Sequence, residues 1–282
     1  MKSIRRCQCL LLVLLLAAVA AAQNKQKLRA PDVIFVPTPQ VVVNEMLRMA
    51  KVSGDSMVYD LGCGDGRLVI TAAKQFGARG IGIDIDPQRI RESNENATAA
   101  KVTDKVKFIL GDLFQFDFHE ATTVTLYLLP DLNVKLRPIL MSQLKPGTPV
   151  VSHDFDMGDW EADESKSIEA DGRTHSVFLW IVPAQLSGTW QWTMVPAGTN
   201  DRYALTLKQQ YQNVTAMLTI NGKESTVTHL KLVGDKLSFS TAYNNFEGQI
   251  DGDRMALRTV HNGQEVGPII ATRGQPGVGA AN

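Results

Sequence analysis

Cysteine is nearly missing from this 282-residue chain: there are three, two of them at positions 7 and 9. So low a count excludes a disulfide framework, and no Cys/His cluster has the spacing of a zinc motif, so no metal site is expected. An excess of one charge is also lacking. Twenty-nine basic and 29 acidic residues cancel, and no basic patch is interleaved with aromatics, so nucleic acid is not expected as a partner. Long apolar runs are absent as well. Residues 10–22 are apolar throughout, but thirteen residues fall short of the roughly 20 that span a bilayer, so no stable transmembrane segment is expected.

That short run has another reading. It follows Lys2, Arg5 and Arg6 and ends in Ala20-Ala21-Ala22, a small-x-small cleavage pattern. Residues 1–22 are therefore read as a secretory signal peptide, and a periplasmic or secreted location is expected. Its removal takes away Cys7, Cys9 and the three cations, leaving Cys63 and a net charge of −3.

What is present is a glycine-rich loop between an apolar strand and a helix: Val58-Tyr59-Asp60-Leu61-Gly62-Cys63-Gly64-Asp65-Gly66-Arg67. Glycine lets backbone approach a nucleotide-like ligand closely. A dinucleotide fingerprint needs G-x-G-x-x-G, and counting from Gly62 the sixth position is Arg67, so that reading fails. Val69, Ala72, Ala73 and Phe76 recur at helical spacing over about 66–77. The strand Gly80-Ile81-Gly82-Ile83-Asp84 then ends in a carboxylate placed to accept from ribose hydroxyls. Asp86-Pro87 reads as an N-cap with proline at the first helical position. A third strand, 106–110, runs into Gly111-Asp112-Leu113.

The spacing Asp-x-Gly-x-Gly-x-Gly, with Asp84 and Asp112 following at strand ends, resembles the class I S-adenosylmethionine (SAM) methyltransferases. The resemblance implies SAM as cofactor, held by Asp60, Gly62, Gly64, Gly66, Asp84, Asp112 and Leu113. It places Asp112 at the adenine amino group, and residues 35–38, Thr38 included, over the cofactor as a lid. The fold expected is an α/β Rossmann-like sheet. A leading helix begins at Thr38-Pro39, further strands lie at 123–128 and 149–155, and a helix at 131–144 separates them. An antiparallel hairpin turning at Asp171-Gly172 closes the sheet. These elements make a methyltransferase domain of residues 31–183.

From residue 184 the texture changes. Val214, Ala216, Leu218 and Ile220 alternate with mostly polar neighbours, and Asn221-Gly222, Gly234-Asp235, Asp251-Gly252 and Asn262-Gly263 punctuate the region. About eight short strands are expected over 184–272, forming a small antiparallel barrel or a curled meander. A glycine-rich, disordered tail is expected at 273–282.

A substrate in an open α/β sheet lies beyond the carboxyl ends of the strands. The fourth strand brings Tyr127-Leu128-Leu129-Pro130-Asp131 there, without the Asn/Asp-Pro-Pro-Tyr of some nucleobase-amine methyltransferases. The fifth brings Ser152-His153-Asp154-Phe155. Tyr127, His153 and Asp154 are the candidate catalytic residues: a base for the acceptor, or for Tyr127 a ring against the sulfonium. The glycine loop, residues 129–133 and 151–155, and Trp160 are similar to the lysine methyltransferases of two mitochondrial proteins, the ADP/ATP carrier and the c-ring protein of ATP synthase. That similarity implies a protein lysine as acceptor; a small-molecule acceptor stays open. The alternative is an exported binding module, or a catalytically silent envelope protein, acting through its C-terminal β domain.

Overall fold

The computed structural model describes residues 28–194, 200–261 and 264–274. The chain forms two compact units, 1–32 and 33–282; within the first, Arg29 pairs with Asp32. The expected signal peptide, the Asn262-Gly263 turn and the tail beyond residue 274 lie outside the described residues.

Seven strands make the first sheet of the larger unit: β1 Met57–Leu61, β2 Arg79–Asp84, β3 Val106–Leu110, β4 Thr123–Leu126, β5 Pro149–His153, β6 Glu164–Ala170 and β7 Arg173–Ile181. Their spatial order is β3-β2-β1-β4-β5-β7-β6. The first five are parallel, and β7 and β6 add antiparallel. β1 and β5 are buried at four of five positions each, as strands covered on both faces must be. The helices are α1 Gln40–Met49, α2 Arg67–Phe76, α3 Pro87–Ala100 and α4 Pro130–Gln143. α1 buries Val42, Val43, Met46, Leu47 and Met49, and the side chain of Asp86 caps α3 by accepting from the Gln88 N–H. Strand order reverses between β1 and β4, and this opens the crevice in which such sheets hold ligands.

Two ends differ from the sequence expectation. The fifth strand stops at His153, two residues early, because Asp154 turns the backbone to φ +59°. The hairpin's first strand starts at Glu164, three residues early, since this edge strand is mostly exposed and carries little apolar alternation.

The second sheet has nine strands: β8 Gly188–Met194, β9 Asp201–Gln210, β10 Asn213–Ile220, β11 Lys223–Ser225, β12 Thr228–Val233, β13 Lys236–Ser240, β14 Asn245–Asp251, β15 Arg254–His261 and β16 Gln264–Arg273. β11 spans three residues, too few to show a period. The order is β11-β10-β9-β8-β16-β15-β14-β13-β12. Among the described residues no ladder joins β11 to β12, so the expected barrel or meander is an open, curled meander. Trp190, Trp192, Tyr203, Phe239 and Phe246 fill its core. Arg273, expected in the tail, instead ends β16, pairing with Asp253 and lying over the Trp190 ring.

The turn between β9 and β10 meets the segment after β5. Tyr211 stacks on Trp160 at 5.9 Å between ring centroids, lies under the Arg137 guanidinium and hydrogen-bonds Asp159 at 3.3 Å. Gln212 donates to the Glu161 carbonyl at 2.7 Å. An aromatic pair and a cation–π contact together contribute about 1–2.5 kcal/mol. Replacing Tyr211 with Ala should lower the stability of the chain by that order, read from urea unfolding midpoints; an unchanged midpoint would show that the junction adds nothing.

Candidate functional site

The loop after β1 is shaped by backbone that other residues rarely adopt: Gly62, Gly64 and Gly66 have φ of +87°, +54° and +79°. At Gly64 the demand is steric as well. A Cβ there would run into the Phe35 ring, which rests on the loop with the Arg89 guanidinium 4.7 Å from its centroid. The N–H groups of Gly62 and Cys63 both donate to the Ile83 carbonyl, at 2.8 and 2.9 Å. The loop is thereby fastened to β2.

Asp84, at the end of β2, accepts from the Gly64 N–H on Oδ2 and from the Asp86 N–H on Oδ1, each at 2.9 Å. Burial raises its pKa, against the pull of these backbone donors. Each carboxylate oxygen has further acceptor capacity beyond one backbone donor. Asp112, after β3, caps the short 3₁₀ helix Leu113–Gln115 by accepting from the Phe114 N–H at 3.0 Å. Leu113 is half-buried beside it. Asp84 and Asp112 thus follow neighbouring parallel strands at the edge where β1 opens into its loop.

Asp60 is different: it is 2 % exposed and accepts from the Thr125 hydroxyl at 2.7 Å. Burial pushes its carboxyl up to about 7; the Thr125 bond opposes this, while the Asp84 and Asp65 carboxylates add to it. Cys63 is buried in the loop, and burial raises its thiol pKa.

Thr38 is buried and joins two parts of the site. Its carbonyl accepts from Arg67 Nη1 at 2.7 Å, and Arg67 also pairs with Asp65 at 2.5 Å. Its Oγ1 lies 3.1 Å from His153 Nδ1. The other nitrogen of His153, Nε2, is 2.7 Å from His175 Nδ1. His153 is 0 % exposed, and burial presses its pKa down to about 4. With both nitrogens engaged, the ring is a strut between Thr38 and β7, and it offers no open nitrogen to an acceptor. Tyr127 lies 3.9 Å from His153 between ring centroids and stacks with Phe155 at 6.0 Å. The Asp154 carboxylate pairs with Arg173 at 3.0 Å and accepts from the Ser176 N–H at 2.8 Å.

The three sequence candidates therefore come together, but with partners that spacing did not show. His175 lies 22 residues from His153 in sequence, and only the antiparallel pairing of β5 with β7 brings it near. Asn133 is buried in α4 and donates to Ser152 Oγ and to the Phe155 and Asp156 carbonyls. It holds the backbone that follows His153. Its signal was its place in the 129–133 run.

Comparison with known proteins agrees with this arrangement. Residues 60–164 match the family described as the ANTKMT methyltransferase domain. A protein-lysine N-methyltransferase of Saccharolobus islandicus is 46 % identical over 153 residues, covering 54 % of this chain and 95 % of that protein. The lysine N-methyltransferase of the ATP synthase c-ring protein from Mus musculus is 30 % identical over 148 residues, covering 52 % of this chain but only 59 % of its own length. A crystal structure described as an RNA methyltransferase from Salinibacter ruber, in complex with S-adenosyl-L-homocysteine, is 54 % identical. It covers 54 % of this chain and 96 % of that one, with a TM-score of 0.50.

The raised Asp60 carboxyl has a consequence for stability. Between about pH 4 and pH 7 the folded chain keeps a proton that an unfolded aspartate releases, so this group's contribution to stability falls as pH rises through that window. Asp60→Asn should remove that slope. Its stability relative to the parent chain should grow from about pH 4.5 to about pH 7.5, measured by urea unfolding without cofactor. Parallel pH profiles would refute a protonated Asp60.

Proposed function

The chain belongs to the S-adenosylmethionine-dependent methyltransferases, in the family of the archaeal protein-lysine N-methyltransferase, and from that premise we propose that its acceptor is the side-chain amine of a protein lysine. The observation that carries this reading is the 46 % identity extending over 95 % of the archaeal enzyme. The chain spans about 59–65 % of the ATP synthase-modifying enzymes it matches, so their acceptor supports the class of substrate and not its identity.

The residues present fit the cofactor. Asp84 has the acceptor capacity for ribose hydroxyls, Asp112 stands at the next strand end for the adenine amine, and Gly62, Gly64 and Gly66 leave bare backbone for the amino-acid tail. Leu113 and Thr38 flank these groups. When bound, SAM supplies an electrophilic methyl group on a sulfonium. The protein's own part is orientation and exclusion of water. Tyr127 and Phe155 form a stacked aromatic rim suited to an amine-bearing chain, and an apolar rim favours the neutral amine that can act as nucleophile. Asp154 and His153 serve this rim as positioning groups, through Arg173 and Thr38.

An RNA acceptor is the second reading, favoured by the description of the Salinibacter ruber structure. Phosphate recognition needs available cations. Here Arg67, Arg89 and Arg173 are each paired with a carboxylate, which supports the protein acceptor. Among the described residues no helix is long and apolar enough to cross a membrane. We further propose export, resting on the basic start and apolar run of residues 1–22. A fusion of that segment to a reporter active only outside the cytoplasm tests it, and an inactive reporter on stable protein refutes it.

Two measurements test the main proposal. Calorimetry should show SAM binding to the full chain, weakened about a hundredfold in Asp84→Ala, the order expected for two lost charge-assisted hydrogen bonds. Incubation with methyl-labelled SAM and total protein or total RNA should place label in methyl-lysine after acid hydrolysis. Label confined to RNA would overturn the lysine assignment while leaving the cofactor assignment intact.

A further inference from the structure

Beneath the aromatic rim lies a side-chain cluster whose chemistry exceeds what positioning requires. His153 ends β5, His175 projects from β7, and Asp154 turns back between them. His153 Nε2 and His175 Nδ1 are 2.7 Å apart. Asp154 Oδ2 stands 3.3 Å from the first and 3.4 Å from the second. The two histidines are 0 % and 2 % exposed, and the Asp154 side chain 14 %. We propose that His153 Nε2, His175 Nδ1 and Asp154 Oδ2 form a binding site for a divalent transition-metal ion of the zinc class.

The geometry supports the donor set. Ligand atoms about 2.0–2.1 Å from one zinc ion at tetrahedral angles stand about 3.3–3.4 Å from each other. Both carboxylate–imidazole separations already have that value, and the imidazole pair has to open by only about 0.6 Å. Two imidazoles and one carboxylate are borderline ligands that suit zinc and its neighbours, with a further position left for another donor. His153 Nδ1 carries the outer hydrogen bond, to Thr38 Oγ1 at 3.1 Å, that fixes a ligating ring and its tautomer. Burial keeps that imidazole neutral near pH 7, the form that binds metal.

Asp154 is aimed by its backbone. At φ +59° it sits where non-glycine residues are uncommon, and the Ser176 N–H holds its Oδ1 at 2.8 Å, leaving Oδ2 toward the rings. The competing cation is Arg173, 3.0 Å from the same oxygen. A carboxylate oxygen has lone pairs for both, and the half-exposed Arg173 side chain can also turn to solvent. A bound ion would tie the end of β5 to β7 beneath Thr38, independently of which acceptor the enzyme takes.

The test uses the full chain without a histidine tag. Metal content is measured by mass spectrometry after purification free of chelator, and the stripped chain is then titrated with Co²⁺. The expected result is one zinc-class ion per chain, or visible Co²⁺ bands that zinc displaces at one equivalent. Affinity should fall at least about tenfold in His175→Ala and in Asp154→Asn, with near-ultraviolet circular dichroism confirming their folding. The parent chain's own titration needs no variant: no retained metal and no Co²⁺ bands would overturn the proposal. So would binding undiminished in a folded His175→Ala, which would place the ion elsewhere, as on the exposed Asp117–His119 pair.

Discussion

The fold depends on one tight turn, in which the backbone leaves β1 and enters α2 with three glycines at positive φ. The paired N–H groups of Gly62 and Cys63 on the Ile83 carbonyl bring β2 level with that turn, and Gly64 reaches the carboxylate of Asp84. A side chain at Gly64 would displace Phe35. Loop, neighbouring strand end and overlying segment are therefore set by the same few atoms. The cofactor edge is a consequence of how the parallel sheet is stitched.

Burial of charge then divides the acidic residues by task. Asp60 lies under the loop, tied to Thr125 across the β1–β4 boundary, and at the cost of ionisation it behaves as a neutral structural group. Asp84 and Asp112 stand at strand ends, only partly buried and satisfied through backbone N–H groups, so they remain suited to polar hydroxyl and amine partners. The same residue type thus has two roles, and solvent access at each position decides between them.

The cofactor side was legible because its signals are local. Glycine spacing, a carboxylate ending an apolar run and an Asp-Pro cap each act within a few residues, so sequence order preserves them. The alternation in the nine-stranded meander was readable for the same reason, whereas β11 was too short to register. The acceptor side was only half legible. Tyr127, His153 and Asp154 could be placed at strand ends by order alone, but nothing near them in sequence announces His175, or Thr38, 115 residues from His153. Those partners arise from the β5–β7 pairing and from the path of the segment before α1.

That contrast also explains why His153 changes its role between sequence and structure. At a strand end beyond a parallel sheet, an isolated histidine is a natural candidate base. Once β7 folds back, the ring is enclosed and its nitrogens are spent on Thr38 and His175. Proton transfer to solvent or substrate would require breaking one of those contacts in a buried, desolvated setting, where an imidazolium is disfavoured. The geometry instead makes the ring a rigid link, running from the closing hairpin through Thr38 to Arg67 at the start of α2. Movement of the hairpin and order in the cofactor lid are therefore mechanically joined, and the acceptor rim above them inherits its position from that link.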